Sequence, residues 1–314
     1  MGELAVVFPG QGSQSVGMGR SLMALGGPVA QTFEEADAIL GMPLSRHLLE
    51  GPEEFLTRTE NTQPALLTTG VAAWRMLQRE RAVQVSCTAG HSLGEYAALV
   101  AAEVLSFADA LRLVRLRGLA MRDAVPSGIG AMAAMLNMAE EDVVAVCEEA
   151  SRETGQVCVA ANFNSPVQIV ISGHRQAVEK AVELAKGKGA KRCIMLAVSG
   201  PFHSPLMQPA AEKMEAAFAE VVFRDPVIPV VCNVTASAVT SATELRARLV
   251  QQITHAVQWQ KSMQYMVSLG VDRVVELGTG KVLSGLMKRI DGQVASVSVQ
   301  GPEELAAFDA LGNV

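Results

Sequence analysis

The sequence lacks the features that mark membrane-spanning and secreted proteins. No run of about 18 apolar residues occurs, the length that a membrane-spanning helix needs, and the apolar stretch 96–105 is interrupted by Glu103. The N-terminus carries Glu3 instead of a basic segment, and its apolar run is too short for a signal peptide. The five cysteines include no CxxC pair. We therefore expect a reduced, cytoplasmic protein without a zinc site.

Charge is also scarce, at 18% of residues, and its balance is negative, with 26 Lys and Arg against 32 Asp and Glu. Such a chain is a poor non-specific binder of nucleic acid, because neutralising phosphates requires a basic surface. Hydrophobic residues make up 49% of the 314 positions, which permits a sizeable core and excludes global disorder. The length fits one large domain with a smaller one inserted or appended.

Helical and strand patterns alternate along most of the chain. Short apolar or β-branched runs predict strands at 4–8, 83–89, 271–277 and 294–299. Helical patterns cover 28–40, 63–81, 93–103 and a segment from Ser106, with Asp109 completing a capping signal, to about Arg122. This alternation predicts an α/β fold with a mostly parallel sheet covered by helices.

The order of elements changes between residues 128 and 198. Strands are predicted at 131–136, 157–161, 167–171 and 192–198, with helices at 140–152 and 176–186 and a turn at Asn164-Ser165-Pro166. The resulting β-α-β-β-α-β order is the ferredoxin-like arrangement. We therefore predict a small inserted domain at 128–198 and a large domain formed by 1–127 and 199–314.

A candidate nucleophile lies in the motif Gly90-His91-Ser92-Leu93-Gly94. This GxSxG falls between a predicted strand and a predicted helix, which is the context that a nucleophilic serine needs. The glycines permit a sharp turn, and the amides at the start of the helix can stabilise an oxyanion. A serine that merely caps a helix is the structural alternative.

Five histidines are candidates for the base that activates this serine. His91 adjoins the serine in a tight turn and should point away from it. His47 lies in an ordinary helical pattern, while helix capping or a helix end accounts for His174 and His255. His203 follows the last strand of the small domain, where a cleft between domains would open. Position makes His203 the leading candidate among the histidines, with a structural loop histidine as an equal alternative. No convincing carboxylate follows as a third triad member, and a backbone carbonyl could orient the ring instead.

Arg117 is unusual because its helical neighbours three and four positions away, at 113, 114, 120 and 121, are all apolar. Its guanidinium should therefore face the core, where an unpaired charge is very costly. An internal Asp or Glu could be its partner. The alternative partner is a substrate carboxylate held by two parallel hydrogen bonds.

Two glycine-rich loops are weaker signals. The loop Gly10-Gln11-Gly12 could bring a second oxyanion amide to a ligand, but it is not a dinucleotide fingerprint, since Ser15 stands where the third glycine would be. The segment Gly278-Thr279-Gly280-Lys281 is not a phosphate-binding loop, because Val282 replaces the required Ser or Thr.

Together the motifs resemble those of malonyl-CoA:acyl carrier protein transacylases, in order along nearly the whole chain. The matching segments are Phe8-Pro9-Gly10-Gln11-Gly12-Ser13-Gln14, Thr62-Gln63-Pro64-Ala65, Gly90-His91-Ser92-Leu93-Gly94-Glu95, Asn162-Phe163-Asn164-Ser165-Pro166 and Pro201-Phe202-His203. The stand-alone bacterial enzymes of fatty acid synthesis are the nearest likeness, with Gly200 where alanine is common and Thr279 where proline is common. The resemblance implies a large hydrolase-like domain with an inserted ferredoxin-like domain.

The resemblance also implies roles for individual residues. Ser92 would be the nucleophile, His203 the base, and Arg117 the residue that binds the malonyl carboxylate. Gln11 and Leu93 match the positions whose amides form the oxyanion hole, and Gln252 matches the one whose carbonyl orients the histidine. Gln63, Asn162 and Phe202 match substrate-binding positions, and Phe202 resembles the malonyl-selective form of its motif.

The implied reaction is a ping-pong transfer of malonyl from malonyl-CoA, through a malonyl-serine, to the phosphopantetheine thiol of acyl carrier protein. It needs no metal and no bound redox cofactor, and we expect a monomer that binds neither nucleic acid nor membrane. A serine hydrolase or thioesterase shares GxSxG but has no evident need for Arg117, and a non-catalytic interaction protein would have lost Ser92 or His203. A malonyl transferase of a polyketide or malonate decarboxylase pathway remains a further alternative.

Acyl carrier proteins are typically acidic, by the same resemblance, so a basic patch on this acidic chain is a candidate docking site. The densest basic cluster comprises Lys186, Lys188, Lys191 and Arg192, and a shorter one comprises Lys288 and Arg289. A solvated charged turn is the structural alternative.

Overall fold

The computed structural model describes residues 2–198 and 200–312, so Ser199, predicted to begin the large domain's second part, lies outside the described residues. In these ranges the strands are β1 (Glu3–Phe8), β2 (Cys87–Gly90), β3 (Gly130–Leu136), β4 (Cys158–Ser165), β5 (Gln168–His174), β6 (Arg192–Met195), β7 (Val230–Val231), β8 (Ala238–Val239), β9 (Val271–Leu277) and β10 (Ala295–Val299).

The helices of the described residues are α1 (Arg20–Ala24), α2 (Gly27–Leu40), α3 (Leu44–Glu50), α4 (Glu53–Thr57), α5 (Thr59–Arg81), α6 (Gly94–Ala101), α7 (Phe107–Asp123), α8 (Glu140–Thr154), α9 (Arg175–Gly187), α10 (Gln208–Ala219), α11 (Ala242–Thr254), α12 (Trp259–Ser268), α13 (Val282–Ile290) and α14 (Leu305–Asp309). Across residues 2–198 and 200–312, no helix combines the length and the apolar character needed to cross a membrane.

The larger sheet has the strand order β10-β9-β1-β2-β7-β8. Its first five strands are parallel to one another, and only the short β8 runs antiparallel, as the return strand of β7. Strand β1 is buried on both faces, at 4% exposure or less from Leu4 to Phe8, as expected of a parallel strand covered by helices. The predicted α/β fold with a mostly parallel sheet is therefore confirmed.

The smaller sheet is antiparallel, with the order β4-β5-β3-β6, and belongs to the β-α-β-β-α-β segment. Alternate residues of β3, among them Ala131, Ala133 and Met135, pack with residues of α8 and α9 in a separate core. Since side chains alternate across a strand, Met132 and Ala134 point to the other face, where they line a cavity shared with the large sheet. The domain boundaries at 128 and 198 stay a prediction.

Four predicted strands differ from the observed ones by three residues or more at one end. Strand β5 continues to His174 instead of ending at residue 171. Strand β2 begins at Cys87 instead of residue 83, because its partner β1 pairs with it only from Ala5 onward. Strand β4 continues to Ser165, because it stays paired with β5 as far as Ser165 opposite Gln168; the turn predicted at Asn164 therefore shifts to residues 166–167. Strand β6 ends at Met195 instead of residue 198, and the residues that follow it line the cavity.

Helix α5 begins at Thr59, four positions before the predicted start, and continues through Pro64. Proline cannot donate the hydrogen bond that would normally reach the carbonyl four residues earlier. That carbonyl, Glu60 O, instead accepts a hydrogen bond from Arg115 Nη1 at 2.6 Å. The helix thus tolerates an internal proline, and Gln63 lies on it, facing α7.

Candidate active site

Ser92 lies at the turn between β2 and α6, at the carboxyl end of the parallel sheet. Its backbone has φ of 51°, a left-handed conformation that is costly for a residue other than glycine. A Cβ at Gly90 would lie 1.8 Å from Gly94 C, and one at Gly94 would lie 2.1 Å from Phe8 O. Gly90 is therefore required by the tightness of the turn itself, and Gly94 by the close approach of the turn to β1, as the motif predicts.

The side chain of Asn233 holds this turn in place. Asn233 Oδ1 accepts a hydrogen bond from Ser92 N–H at 2.6 Å, and Asn233 Nδ2 donates to Gly90 O at 2.7 Å. Sequence reasoning missed Asn233, which lies in an irregular segment after β7 with no periodic pattern or motif to mark it. It fixes the backbone immediately before the Ser92 Cα, from Gly90 O to Ser92 N–H.

His203 is the histidine that contacts the serine. Its Nε2 lies 2.7 Å from Ser92 Oγ, and its Nδ1 lies 2.7 Å from the backbone oxygen of Gln252. Because a carbonyl oxygen only accepts, the proton of the neutral ring is on Nδ1, and Nε2 is free to accept the serine proton. Burial, and next the charge of Arg117, lower the pKa of His203 to about 3, so the ring is neutral at pH 7.

The other histidines have different partners. His91 Nε2 lies 2.8 Å from Asn164 Oδ1, so His91 points away from the serine as predicted. His174 does not cap its helix with its side chain; its Nδ1 accepts a hydrogen bond from Val157 N–H at 3.0 Å. His47 and His255 each bond a carbonyl oxygen of their own helix region.

Arg117 extends from α7 to Ser92 and is only 1% exposed. Its Nη1 donates to Gln63 Oε1 at 2.8 Å, and its Nη2 donates to Gln252 Oε1 at 2.8 Å and to Ser92 Oγ at 3.1 Å. Its Nε has no hydrogen-bond partner. Throughout residues 2–198 and 200–312, no carboxylate contacts this guanidinium directly, and the pKa of Arg117 is lowered chiefly by burial.

A buried carboxylate, Glu95, lies behind these groups. It stands in the first turn of α6, is 1% exposed, and accepts hydrogen bonds from Gln252 Nε2 at 2.8 Å and Asn233 N–H at 3.2 Å. Burial raises its pKa to about 7. Glu95 follows directly on the serine motif in the sequence, but nothing in the sequence pattern indicates that it contacts Gln252.

The two amides expected to stabilise an oxyanion border the same cavity. Leu93 is the N-cap residue of α6, Gln11 lies in the loop after β1, and both line the cavity. Neither backbone N–H makes a hydrogen bond to another residue in the part of the chain that the structure describes. Gln11 is held by its side chain, whose Oε1 accepts from Thr59 Oγ1 at 2.9 Å.

The cavity in front of Ser92 has a volume of about 390 Å³ and lies between the two sheets. Of the residues expected to bind substrate, Gln63, Asn162 and Phe202 all line it, together with Arg117. The structure therefore brings together every residue predicted for the site, Gln252 reaching it through its contacts with Arg117 and His203. Among the described residues, no group of three or more His, Cys, Asp and Glu side chains is arranged to hold a metal ion.

Comparisons with known proteins agree with one another. The acyl transferase domain family matches residues 5–297. The malonyl CoA-acyl carrier protein transacylase of Escherichia coli is 47% identical over 98% of this chain and 99% of its own length. The enzyme of the same name from Bacillus subtilis is 45% identical over 97% and 96%.

Solved structures extend the comparison to the fold. The malonyl-CoA:acyl carrier protein transacylase of Xanthomonas oryzae pv. oryzae has a TM-score of 0.95 at 47% identity, covering 100% of this chain and 99% of that one. A malonyl-transacylase solved in complex with its holo type II PKS acyl-carrier protein has a TM-score of 0.94 at 44% identity, covering 97% and 98%. The chain therefore belongs to the acyl transferase family and, within it, to the malonyl CoA-acyl carrier protein transacylases.

Proposed function

We propose that this protein transfers the malonyl group of malonyl-CoA to the phosphopantetheine thiol of an acyl carrier protein, through a malonyl ester of Ser92. One observation carries the choice of substrate: Arg117 is buried, contacts no carboxylate of residues 2–198 and 200–312, and lies 3.1 Å from the serine oxygen. A thioester whose acyl chain ends in a carboxylate supplies the missing anion at that distance from the reacting carbonyl.

In the first half-reaction, His203 Nε2 takes the proton of Ser92 as its oxygen attacks the thioester carbonyl. The N–H groups of Gln11 and Leu93 are available to stabilise the negative oxygen that develops. The carbon–sulfur bond then breaks, and CoA leaves as the thiol with the proton from His203. The second half-reaction repeats these steps in reverse, with the carrier thiol attacking malonyl-Ser92.

Substrate binding should also make His203 a better base. The charge of Arg117 is the second cause, after burial, of its lowered pKa. A malonyl carboxylate bound to Arg117 neutralises that charge and so raises the pKa of His203 toward the working pH. An acyl group without a carboxylate does not have this effect, which adds to the preference for malonyl.

The acceptor follows from the relatives, which are named for transfer to acyl carrier protein, and the pathway from the resemblance of the sequence motifs to the stand-alone bacterial enzymes. We assign this chain to the supply of malonyl groups for fatty acid synthesis, as a cytoplasmic monomer. The five free cysteines support a reducing compartment. Light scattering on the purified protein tests the monomer directly.

Intact-mass measurement after incubation with malonyl-CoA tests the proposal. We expect one malonyl adduct on the wild-type protein, no adduct on Ser92→Ala, and a fall in transfer of several orders of magnitude for both Ser92→Ala and His203→Ala. His174→Ala is the matched control and should keep its activity. Rapid release of malonate without a thiol acceptor would instead identify a hydrolase.

A further inference from the structure

The orienting group of His203 is unusual for a serine nucleophile, because its ring bonds a backbone carbonyl where a carboxylate would stand in a Ser-His-Asp triad. That carbonyl belongs to Gln252, whose side chain is fully buried at 0% exposure. A carboxylate does exist in this region, one residue further from the ring. Glu95 contacts the side-chain amide of the same Gln252 at 2.8 Å.

Gln252 joins three parts of the site. Its backbone oxygen accepts from His203, its Nε2 donates to the backbone oxygen of Ser92 at 2.9 Å, and its Oε1 accepts from Arg117. A displacement of this one residue would therefore move the base, the nucleophile and the group that binds the substrate anion together.

The amide of Gln252 has a charge at each end. The Arg117 guanidinium faces its oxygen and the Glu95 carboxylate faces its nitrogen. The reversed amide would place its NH₂ against the guanidinium and its oxygen against the carboxylate, which costs two charge-assisted hydrogen bonds. The two charges thus hold one orientation of the amide, and Glu95 offsets the buried charge of Arg117 without occupying the substrate's position.

Glu95 is itself held in place. It stands in the first turn of α6, where the helix dipole favours a negative charge, and it accepts from Asn233 N–H as well as from Gln252. The charged or titratable groups that face it are Arg117 from α7, the Cys232 thiol from the segment after β7, and Tyr96 from its own helix.

We infer that Glu95 is a positioning residue for the transfer reaction, which acts through the Gln252 amide to hold His203, Ser92 and Arg117 in the reactive arrangement. This inference rests on the proposed function. In a Ser-His-Asp triad the carboxylate orients the histidine by direct contact. Glu95 does so through Gln252, and the Arg117 guanidinium stays free to bind the substrate.

The first test is Glu95→Gln, which keeps the size of the side chain and removes the charge. We expect the rate of Ser92 malonylation to fall about 10- to 100-fold and the preference for malonyl-CoA over acetyl-CoA to narrow, with the melting temperature kept. The matched control is Glu276→Gln. Glu276 is also 0% exposed but accepts hydrogen bonds from the start of α13, so its loss should affect stability and not malonyl preference.

A pH profile separates positioning from a structural role. Burial raises the pKa of Glu95 to about 7 and lowers that of His203 to about 3. Because the carboxylate form holds Gln252, kcat/KM of the wild type for malonyl-CoA should fall as the pH drops from about 8 to about 6. This quantity reports on the free enzyme, in which His203 does not titrate in that window. This decline should be absent in Glu95→Gln and present in Glu276→Gln.

A double-mutant cycle with Gln252→Met, which keeps the backbone carbonyl and removes the amide, tests the route of the effect. If Glu95 acts through this amide, adding Glu95→Gln to the Gln252→Met protein should lower the rate of Ser92 malonylation only slightly further. Three results would each overturn the inference. The two substitutions could lower the malonylation rate additively, Glu95→Gln could malonylate Ser92 at the wild-type rate, or Glu95→Gln could keep the fall in kcat/KM near pH 7. If Glu95→Gln does not fold, Gln252→Met is tested alone. The inference then holds only if Gln252→Met lacks the fall in kcat/KM between about pH 8 and about pH 6.

Sulfonylation of Ser92 by phenylmethylsulfonyl fluoride separates this inference from the proposed function, because it reports on Ser92 and His203 without a malonyl group. If the wild type takes no malonyl adduct, the proposed function fails. The Glu95 inference is then judged by whether Glu95→Gln slows sulfonylation, and an unchanged rate overturns it.

Discussion

Ser92 and His203 both adopt left-handed backbone conformations, with φ of 51° and 57°. Each such conformation costs about 1–3 kcal/mol in a residue other than glycine and persists only where the surroundings enforce it. Here the enforcing contacts are polar: Asn233 holds Ser92 N–H, and the Gln252 carbonyl holds the His203 ring. The backbone strain therefore lies in the two residues whose side-chain atoms, Ser92 Oγ and His203 Nε2, are 2.7 Å apart.

Removal of the Arg117 guanidinium should change substrate choice. We expect Arg117→Ala to lower kcat/KM for malonyl-CoA by about 100-fold or more, since the buried charge pair is lost. Activity with acetyl-CoA should rise, because the buried charge that penalises neutral acyl groups is gone. Arg117→Lys should not restore malonyl transfer, since an ammonium cannot form the two parallel hydrogen bonds. An unchanged malonyl preference in Arg117→Ala would make Arg117 a structural residue.

Residues that follow a local pattern were predictable, and residues placed only by tertiary contacts were not. Ser92 follows from glycine spacing, and the core-facing direction of Arg117 follows from helical periodicity. Glu95 and Asn233 have no such signal. Their contact joins positions 138 residues apart, and no period in the sequence encodes it.

At the scale of elements, the close packing of α5 against α7 positions Gln63 beside Arg117. Gly118 permits it: a Cβ there would lie 2.4 Å from Glu60 Cα and 2.8 Å from Thr59 O. Both are backbone atoms, so a larger residue can be accommodated only by moving one helix. The adjacent Arg117 would move with it.

We expect Gly118→Ala to lower the free energy of unfolding by about 1–3 kcal/mol and to reduce kcat/KM for malonyl-CoA more than for acetyl-CoA. Urea unfolding and steady-state kinetics measure the two effects. Gly285→Ala on α13 is the matched control, because its Cβ meets nothing within 4 Å; it should raise stability by up to about 1 kcal/mol. Wild-type selectivity in Gly118→Ala would show that the helix contact does not position Arg117.

Long elements with a clear period were predicted within a few residues, and the two shortest strands were missed. Helix α7 begins after Ser106, whose Oγ accepts from Asp109 N–H at 3.0 Å, so the capping signal is confirmed. Strands β7 and β8 have two residues each and carry no period. They form because β2 offers an unpaired edge to Val230 and Val231, which only the assembled sheet provides.

At the scale of the whole molecule, the site lies where two sheets face each other. Strands β1 and β2 end side by side, with Phe8 paired to Gly90, and so bring the Gln11 loop and Ser92 together at the carboxyl edge, as expected of an open parallel sheet. The smaller sheet closes the cavity with Met132, Asn162 and Val170. Neither sheet alone contains the site.

Both basic clusters lie close in the chain to residues that line this cavity. The cluster Lys186, Lys188, Lys191 and Arg192 is exposed at the end of α9 and the start of β6, and residues 196–198, just after β6, line the cavity. Lys288 and Arg289 are exposed in the last turn of α13, whose first turns line the same cavity. The chain as a whole has a net charge of −6, so attraction of an acidic carrier depends on such local patches.

Reversal of Lys188 and Lys191 to Glu should therefore raise KM for acyl carrier protein roughly tenfold and flatten its dependence on salt, because charges at the rim of an interface act mainly on encounter. The malonyl-CoA half-reaction, followed as Ser92 malonylation, should be nearly unchanged. Lys188 also pairs with Glu149 at 3.2 Å, so the melting temperature is measured alongside.

The matched control reverses Arg46 and Lys213, which are exposed on α3 and α10. These two helices contribute no residue to the cavity. The control changes the net charge equally and should leave KM near the wild-type value. If both half-reactions respond equally, or if the control raises KM as much, the cluster at α9 and β6 is not the surface that receives the carrier.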